Sequence, residues 1–264
     1  MRAILLWLAT CLALGAEERR LASYNPGATR TLVDLGAAAD IVMATRWCPL
    51  PQEHPAARDA DVFLPDLERL LNTRPGLVIL PRMTNPLWAE KCAKAGLRTL
   101  VLSPESADSV RTDILALGAA TGRSETARRL ADQLGARPDG PTRSLLVVWE
   151  GVMAGPESYL AGPMAAAGWH SALPAGAWPK FDWERLAAAK PDAVLWISNA
   201  PADGVIVESQ EKNREMSRRP LVRDLPCIRN GRVFQVENRS NYLPGSGLCN
   251  AIAELTRLRK VLGM

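Results

Sequence analysis

Histidine, phenylalanine and tyrosine are scarce in this chain of 264 residues, which contains two His, three Phe and three Tyr. The sequence has no Cys-x-x-Cys pair and no His-rich cluster, which are the usual signs of a zinc site. It also has no Ser-centred nucleophile elbow and no Gly-rich phosphate loop. These absences remove the usual signatures of hydrolases, nucleotide-binding enzymes and metalloenzymes. The sequence therefore predicts a protein that is not an enzyme.

Charge gives no sign of a polyanionic partner. The chain carries 32 Lys and Arg against 28 Asp and Glu, a formal net charge of +4. We read the basic residues as scattered, and neither a zinc-finger spacing nor the aromatic-basic motif of RNA-binding domains occurs. A hydrophobic content of 47% is ordinary for a globular chain. The composition therefore predicts a globular protein with no nucleic-acid partner.

The N-terminal residues have the pattern of a secretory signal peptide. One Arg precedes an apolar run from Ala3 to Leu14, and the small residues Gly15 and Ala16 stand before the polar sequence EERR. The run is shorter than a helix that spans a bilayer. We therefore predict a signal peptide over residues 1–16 and export of the mature chain. A buried N-terminal helix and lipidation at Cys11 stay open as alternatives.

Four cysteines follow this segment, namely Cys48, Cys92, Cys227 and Cys249. Four cysteines in an oxidising compartment allow three pairings. Because Cys227 and Cys249 are close in sequence, we predict a disulfide between them, with buried free thiols as the alternative. The cysteine spacing and the few His predict no metal site.

One pattern occurs twice in the chain. The stretch DLERLLNTRPGLVILP begins at Asp66, and DWERLAAAKPDAVLWI begins at Asp182. In each copy an Asp suited to cap a helix precedes a short amphipathic segment, and a Pro ends that segment before an apolar strand. Glu68 and Glu184 occupy the same place in the two copies. The repeat predicts two related lobes.

Short apolar stretches alternate with amphipathic ones in both halves of the chain. This alternation is typical of a parallel sheet with helices on both faces. Residues 106–134 differ, because their apolar residues recur at helical spacing. The sequence therefore predicts an α/β fold of two lobes, each a mostly parallel sheet flanked by helices, joined by a long helical bridge. The predicted boundaries are 17–105 for the first lobe, 106–137 for the bridge, as one helix or two, and 138–264 for the second lobe.

Five stretches of the chain follow one another in an order that resembles a known family. They are RLASYNPGATRTLVDLGAAADIVMAT, DLERLLNTRPGLVIL, LGAATGRSETARRLADQL, MAGPESYLAGPMAAAGW and NGRVFQVEN. On these stretches the chain is similar to the helix-bridged (class III) periplasmic substrate-binding proteins of ABC importers, most of all those for vitamin B12 and ferric siderophores. It departs from the family pattern at Ser246-Gly247, where relatives often have Pro-Arg, and at Gly168-Trp169, where many have two Gly.

Candidate ligand contacts follow from the positions of the strands. Ligands of parallel sheets bind beyond the carboxyl ends of the strands, and this chain has eight Trp against three Phe and three Tyr. Broad aromatic side chains with one polar edge suit a large flat ligand such as a corrin or a porphyrin. For each Trp, packing in the core is the alternative role. The predicted contacts are Tyr24, Trp47, Arg82, Trp88, Trp149, Trp178 (as a lid), Trp196, Asn199, Arg239 and Tyr242.

The resemblance implies a function and partners. It implies a periplasmic protein that captures a corrinoid in the cleft between the lobes and delivers it to an ABC importer. It also implies that Glu68 and Glu184 meet basic pockets on the two copies of the permease. No catalytic residue and no cofactor are expected.

Two other metal complexes are alternative ligands. Ferric siderophores need cationic groups, which Arg46, Arg82 and Arg239 would supply. Haem needs an axial ligand, for which His170 and Tyr159 are the candidates.

Overall fold

The computed structural model describes residues 19–135, 141–198, 204–237 and 239–263. The predicted signal peptide lies outside these ranges. Within them, no helix is both long enough and apolar enough to cross a membrane. The chain divides into two compact units. The first contains the described residues up to Ser103 and Asp113–Ala127, and the second contains Pro104–Thr112 and the described residues from Arg128 onward.

The first unit is built on a parallel sheet with the strand order β3-β2-β1-β4-β5. Its three central strands are buried almost throughout, as expected for a sheet that helices cover on both faces. Three helices connect the strands, and an Asp or Asn side chain caps each of them. The elements are β1 (Leu21–Ser23), α1 (Pro26–Asp34), β2 (Ile41–Thr45), β3 (Ala57–Ala60), α2 (Leu67–Asn72), β4 (Leu77–Pro81), α3 (Pro86–Lys94) and β5 (Thr99–Leu102).

Two helices follow, α4 (Ala107–Ala120) and α5 (Ser124–Leu134), and each contributes residues to both units. The chain turns between them at Gly122, whose φ of +70° belongs to the left-handed region that favours glycine. A Cβ on Gly118 would stand 2.2 Å from the Cβ of Ala127. The sequence left open one helix or two, and the structure has two.

The second unit holds a mixed sheet with the order β10-β11-β9-β6-β7, and β8 also pairs with β6. Strands β6, β8, β9 and β11 are parallel, whereas β7 and β10 are antiparallel to their neighbours. The predicted α/β class with mostly parallel sheets is confirmed. The elements are β6 (Arg143–Trp149), β7 (Val152–Met153), α6 (Ala161–Ala166), β8 (Trp169–Ser171), α7 (Trp183–Ala189), β9 (Ala193–Ile197), β10 (Val207–Glu208), α8 (Gln210–Ser217), α9 (Pro226–Arg229), β11 (Val233–Val236), α10 (Arg239–Tyr242) and α11 (Leu248–Val261).

The predicted disulfide between Cys227 and Cys249 is wrong. Cys227 is 1% exposed and packs in the core of the second unit, where burial raises the pKa of its thiol to about 11. The Sγ of Cys249 instead lies 3.5 Å from the carbonyl oxygen of Leu130 on α5. Closeness in sequence did not bring the two sulfur atoms together, because α9 buries Cys227 in the core of the second unit, whereas α11 holds the partly exposed Cys249 beside α5.

Asp113 on α4 gives the fold a predictable response to pH. Its carboxylate accepts a hydrogen bond from the Ser103 amide at 3.2 Å, yet burial raises its pKa from 3.8 to about 6. The folded state therefore binds this proton more tightly than the unfolded chain does. The contribution of this group to stability is largest below pH 3.8 and is lost as the pH rises through about 6.

We expect Asp113→Asn to flatten this part of the stability profile, because the amide does not ionise but still offers an oxygen to Ser103. The measurement is the melting temperature of both proteins between pH 4 and pH 7. Asp108→Asn on the same helix is the control, since the Asp108 side chain is 93% exposed. Parallel pH profiles for the wild type and Asp113→Asn would contradict the assignment.

Candidate functional site

Large apolar side chains are exposed where the parallel strands of the first sheet end. Trp47 follows β2, Phe63 and Leu64 follow β3, and Met83 follows β4. Their exposed fractions are 53%, 74%, 81% and 69%. We call these four residues the apolar edge. Exposed apolar side chains gathered at the carboxyl end of a sheet are typical of a ligand surface.

A tight turn holds Trp47 in place. The amide of Cys48 donates to the carbonyl of Thr45 at 3.0 Å, and the amide of Trp47 contacts the Thr45 hydroxyl at 3.3 Å. The Thr29 hydroxyl on α1 donates to the Cys48 sulfur at 3.0 Å and so fixes the turn to the neighbouring helix. The Arg46 guanidinium stands 4.9 Å from the centroid of the Trp47 ring. The turn therefore presents an indole ring with a cation beside it.

A second cation lies at the same end of the sheet. Arg82 directly follows β4, is exposed, and reaches the Ser103 hydroxyl at 3.5 Å. Met83 of the apolar edge is its neighbour in sequence. Flat apolar contacts with Arg46 and Arg82 beside them suit a broad molecule with an apolar face and anionic or strongly polar groups at its rim.

Sequence reasoning missed three members of the apolar edge, namely Phe63, Leu64 and Met83. The stretch DVFLPD could have indicated Phe63 and Leu64, because its apolar residues stand in a loop between two acidic ones. Strand β3 had not been predicted, so nothing indicated that this loop follows a strand.

Two other predicted contacts of the first unit lie in its core. Tyr24 is 2% exposed, and its hydroxyl lies 3.6 Å from the sulfur of Met43. Trp88 is 5% exposed and packs in the same cluster, where its Nε1 has no hydrogen-bond partner among the described residues. The structure therefore does not bring Tyr24 or Trp88 to the apolar edge.

Trp178 of the second unit lies on a backbone segment that is firmly held. Residues 176–181, which we call the Trp178 segment, run beside β7. The amides of Met153 and Gly155 each donate a hydrogen bond of 2.8 Å to carbonyls of this segment. The half-buried Trp178 ring lies 5.1 Å from the ring of Tyr159. These hydrogen bonds join the segment to β7 and the residues after it, and the role of Trp178 as a lid stays a prediction.

Trp149 and Trp196 stand on opposite faces of the second sheet. Trp149 pairs with Ile197 across β6 and β9, and successive residues of a strand point to opposite faces. The ring of Trp196 lies 5.2 Å from Phe181, and the Lys212 ammonium stands 4.8 Å above it. Both Trp are partly buried, and the structure does not bring them together on one face.

Tyr242 is a buried residue with a complete set of hydrogen bonds. Its hydroxyl donates to the Glu254 carboxylate at 3.0 Å, and the Asn241 amide donates to the other oxygen of Glu254 at 2.8 Å. The Tyr159 hydroxyl donates to the Tyr242 carbonyl at 3.1 Å. Burial raises the pKa of the Tyr242 hydroxyl well above its ordinary value, so it stays a neutral donor. Asn199 and the side chain of Arg239, also predicted contacts, lie outside the described residues.

The two Glu of the sequence repeat occupy matched local positions. Asp66 caps α2 by accepting from the Arg69 amide at 3.0 Å, and Asp182 caps α7 by accepting from the Arg185 amide at 2.6 Å. Glu68 and Glu184 are each the second residue of their helix, and both are exposed. The repeat extends further, because Arg74 and Lys190 after the helices have φ of 45° and 44°.

Both His and the remaining Tyr have other contacts. The Nε2 of His54 lies 2.9 Å from the Ala38 carbonyl, and the Nδ1 of His170 lies 3.0 Å from the Thr142 hydroxyl. Tyr159 is 8% exposed. Among the described residues, no group of three or more His, Cys, Asp or Glu is placed to hold a metal ion.

Known proteins with similar folds include periplasmic binders of two kinds. The haem-binding protein HutB of Vibrio cholerae aligns with a TM-score of 0.73 and 19% identity over 92% of this chain and 98% of its own. The vitamin B12-binding protein BtuF of the same organism aligns with a TM-score of 0.69 and 15% identity over 93% of this chain and 98% of its own. At these identities the likeness concerns the fold.

A similarity in sequence also exists. A cobalamin-binding protein of Halobacterium salinarum is 22% identical over 205 residues, which cover 70% of this chain and 56% of that protein. The chain thus spans about half the length of this curated relative. The family described as "Periplasmic binding protein" matches residues 21–239, which is most of the chain. The chain therefore belongs to the periplasmic binding protein family, whose members bind substrates for transport and are not enzymes.

Proposed function

We propose that this protein captures a corrinoid and delivers it to an ABC importer. The observation that carries the proposal is the apolar edge with Arg46 and Arg82 beside it. A corrin ring is broad and flat, and its rim bears amide groups. Trp47 and Met83 suit the ring, and the two guanidinium groups suit the polar groups around it. The similarity to a cobalamin-binding protein supports the same class of ligand.

Haem is the second candidate, because haem-binding proteins are among the structures with this fold. Periplasmic haem would require an axial side chain from this protein, ordinarily His or Tyr. His54 Nε2 contacts the Ala38 carbonyl, all three Tyr are buried, and His170 belongs to β8 of the second unit and not to the apolar edge. A corrinoid carries its metal in a ring with its own axial groups and has no such requirement. The geometry thus favours the corrinoid.

The class of ligand can be tested by colour. We expect cyanocobalamin to co-elute with the purified protein in gel filtration and to show its absorption bands in the protein fraction. Haemin and a ferric hydroxamate siderophore are the parallel samples. Co-elution of haemin alone would contradict the proposal and identify haem as the ligand. Co-elution of the siderophore alone would also contradict it, and would indicate that Arg46 and Arg82 are the main contacts of an anionic ligand.

Replacing Trp47 by Ala is expected to weaken corrinoid binding by ~1–3 kcal/mol, the usual effect of removing a contacting aromatic ring. Trp178→Ala is expected to have an effect of the same size if the ring beside Tyr159 touches the ligand. Isothermal titration calorimetry with cyanocobalamin measures both. Leu115→Ala is the control, since Leu115 is an exposed apolar residue of α4 that is not among the predicted contacts. Unchanged affinity for either variant would remove that Trp from the site.

The second part of the proposal concerns the permease. We assign Glu68 and Glu184 to contacts with basic residues on its two copies. A dimeric permease presents the same surface twice, so one chain can match it by placing like charges at equivalent points of two units. The matched caps of α2 and α7 and the matched exposure of the two Glu support this assignment.

A further inference from the structure

One short stretch of the second unit carries an excess of positive charge. Residues 210–232 contain seven Lys or Arg and three Asp or Glu, so they carry a net charge of +4. The whole chain has 32 basic and 28 acidic residues, so the rest of it holds 25 of each and sums to zero. This distribution corrects the interpretation of the basic residues as scattered.

The stretch forms a continuous surface of the second unit. It consists of α8, the turn after it and α9. Glu211, Arg214, Glu215, Arg218 and Arg219 line a single open concavity along α8. We call the exposed arginines of this stretch the basic surface. They are Arg214, Arg218, Arg219, Arg223 and Arg229.

An apolar side chain projects from the middle of the basic surface. Leu221 is 51% exposed and stands in the turn between Arg219 and Arg223. The amides of Val222 and Arg223 donate to the Arg219 carbonyl at 3.1 and 3.0 Å, and Val222 is fully buried in the core. The core therefore anchors the turn, and the turn leaves Leu221 exposed between Arg219 and Arg223 in the chain.

The ion pairs on this surface leave its charge available. Arg219 lies 3.4 Å from Glu215, and Arg229 lies 2.6 Å from Asp224, but these side chains are all at least 41% exposed. Exposed ion pairs are weak, because water and salt screen them. A phosphodiester group can therefore compete for the guanidinium groups, to which it offers two oxygens in a matching geometry.

The surface also adjoins the proposed docking position. The Arg219 guanidinium stands 3.9 Å from the ring centroid of Trp183, and Trp183 directly precedes Glu184. If Glu184 meets a permease, the basic surface beside it comes near the membrane that holds the permease. This step alone depends on the proposed function.

We propose that the basic surface docks on a bilayer that contains anionic phospholipids. The arginines contact headgroup phosphates, and Leu221 enters the boundary between headgroups and acyl chains. Basic residues around an exposed apolar side chain are the pattern by which peripheral proteins bind such bilayers. Docking of this kind keeps the protein near the membrane surface, where its permease lies.

The test is co-sedimentation with lipid vesicles, which needs neither the ligand nor the permease. We expect the wild type to bind vesicles of 70% phosphatidylcholine and 30% phosphatidylglycerol, to bind pure phosphatidylcholine vesicles weakly, and to dissociate at high salt. Arg218→Glu with Arg223→Glu is expected to lower binding by at least about 25-fold, since each basic charge near the surface contributes roughly fivefold. Leu221→Asp is expected to lower it about tenfold, because it removes the apolar contact and adds a negative charge.

Lys91→Glu with Lys94→Glu on α3 is the matched control. It changes the net charge of the protein by the same amount at exposed positions of the first unit. If the two double variants lose vesicle binding equally, the effect depends only on the overall charge of the protein, and the proposal is overturned. Equal binding of the wild type to both kinds of vesicle, or no binding to either, would also overturn it. Full binding by Leu221→Asp would overturn the insertion of Leu221. Vesicle binding together with no corrinoid binding would refute the proposed ligand and leave this inference intact.

Discussion

Reversing the charge of both Glu68 and Glu184 to Lys is expected to abolish uptake through the importer while corrinoid affinity stays unchanged. Each Glu is exposed in the first turn of its helix, so neither substitution disturbs the core. Each reversal replaces an attraction to a basic permease pocket by a repulsion, which costs several kcal/mol at a complementary interface. Either single change is expected to lower uptake, and the double change to lower it further.

A plainer role for these residues is to favour the helix N-terminus, which is worth ~0.3–1 kcal/mol per carboxylate. Glu125→Lys separates the two roles, because Glu125 is also the second residue of its helix, α5, and is exposed. All three reversals should lower the melting temperature by a similar small amount. The measurements are uptake of cyanocobalamin by reconstituted importer and capture of the protein by detergent-solubilised permease. Normal uptake with Glu68 and Glu184 both reversed would show that the two residues have no role in docking and that the repeat reflects only the shared ancestry of the two units.

Gly155→Ala is expected to cause a large loss of stability in the second unit. A Cβ at this position would stand 1.9 Å from the carbonyl oxygen of Gly176, which belongs to the Trp178 segment. A backbone atom cannot rotate away as a side chain would, so the segment must shift from β7. We expect a loss of ~1–3 kcal/mol in the free energy of unfolding or somewhat more, in the range of other overpacked interiors. Weaker corrinoid binding should accompany it, since Trp178 moves with the segment.

Gly151→Ala is the comparison for this prediction. Gly151 has a φ of +78°, but no atom lies within 4 Å of its added Cβ. This variant is therefore expected to lose only the ~1–2 kcal/mol of the left-handed conformation. Urea unfolding measures the stability of both variants, and calorimetry with cyanocobalamin measures their affinity. A Gly155→Ala protein as stable as the wild type would show that the Trp178 segment is free to move, as a lid would be.

The sequence predicted those elements whose ends carry chemical signals. Helix α7 occupies Trp183–Ala189, the predicted stretch, because Asp182 caps it and Pro191 prevents its continuation. Strand β3 was missed, because it lies at the sheet edge and its residues, Ala57–Ala60, contain Arg and Asp rather than an apolar run.

The candidate site was predicted in part, because a sequence places a residue near a strand end but does not give the direction of its side chain. Trp47 and Trp88 both stand near strand ends, yet a turn exposes Trp47 and helix packing buries Trp88. Phe63 and Leu64 are plainly apolar in the sequence, but only the presence of β3 shows that they follow the carboxyl end of a strand. The basic surface does not show in the composition, because the net charge of a whole chain does not say where the basic residues lie.

The order of the first sheet has a consequence for the growing chain. Strand β1 stands between β2 and β4, and Leu21 pairs both with Ile41 and with Leu77. One edge of β1 therefore stays unpaired until more than fifty further residues have been synthesised. Sheets that depend on such distant pairings fold on the order of milliseconds to seconds. During that interval the apolar edges of β1 and β2 are open to chaperones and to aggregation, so this early part of the chain is where folding is most vulnerable.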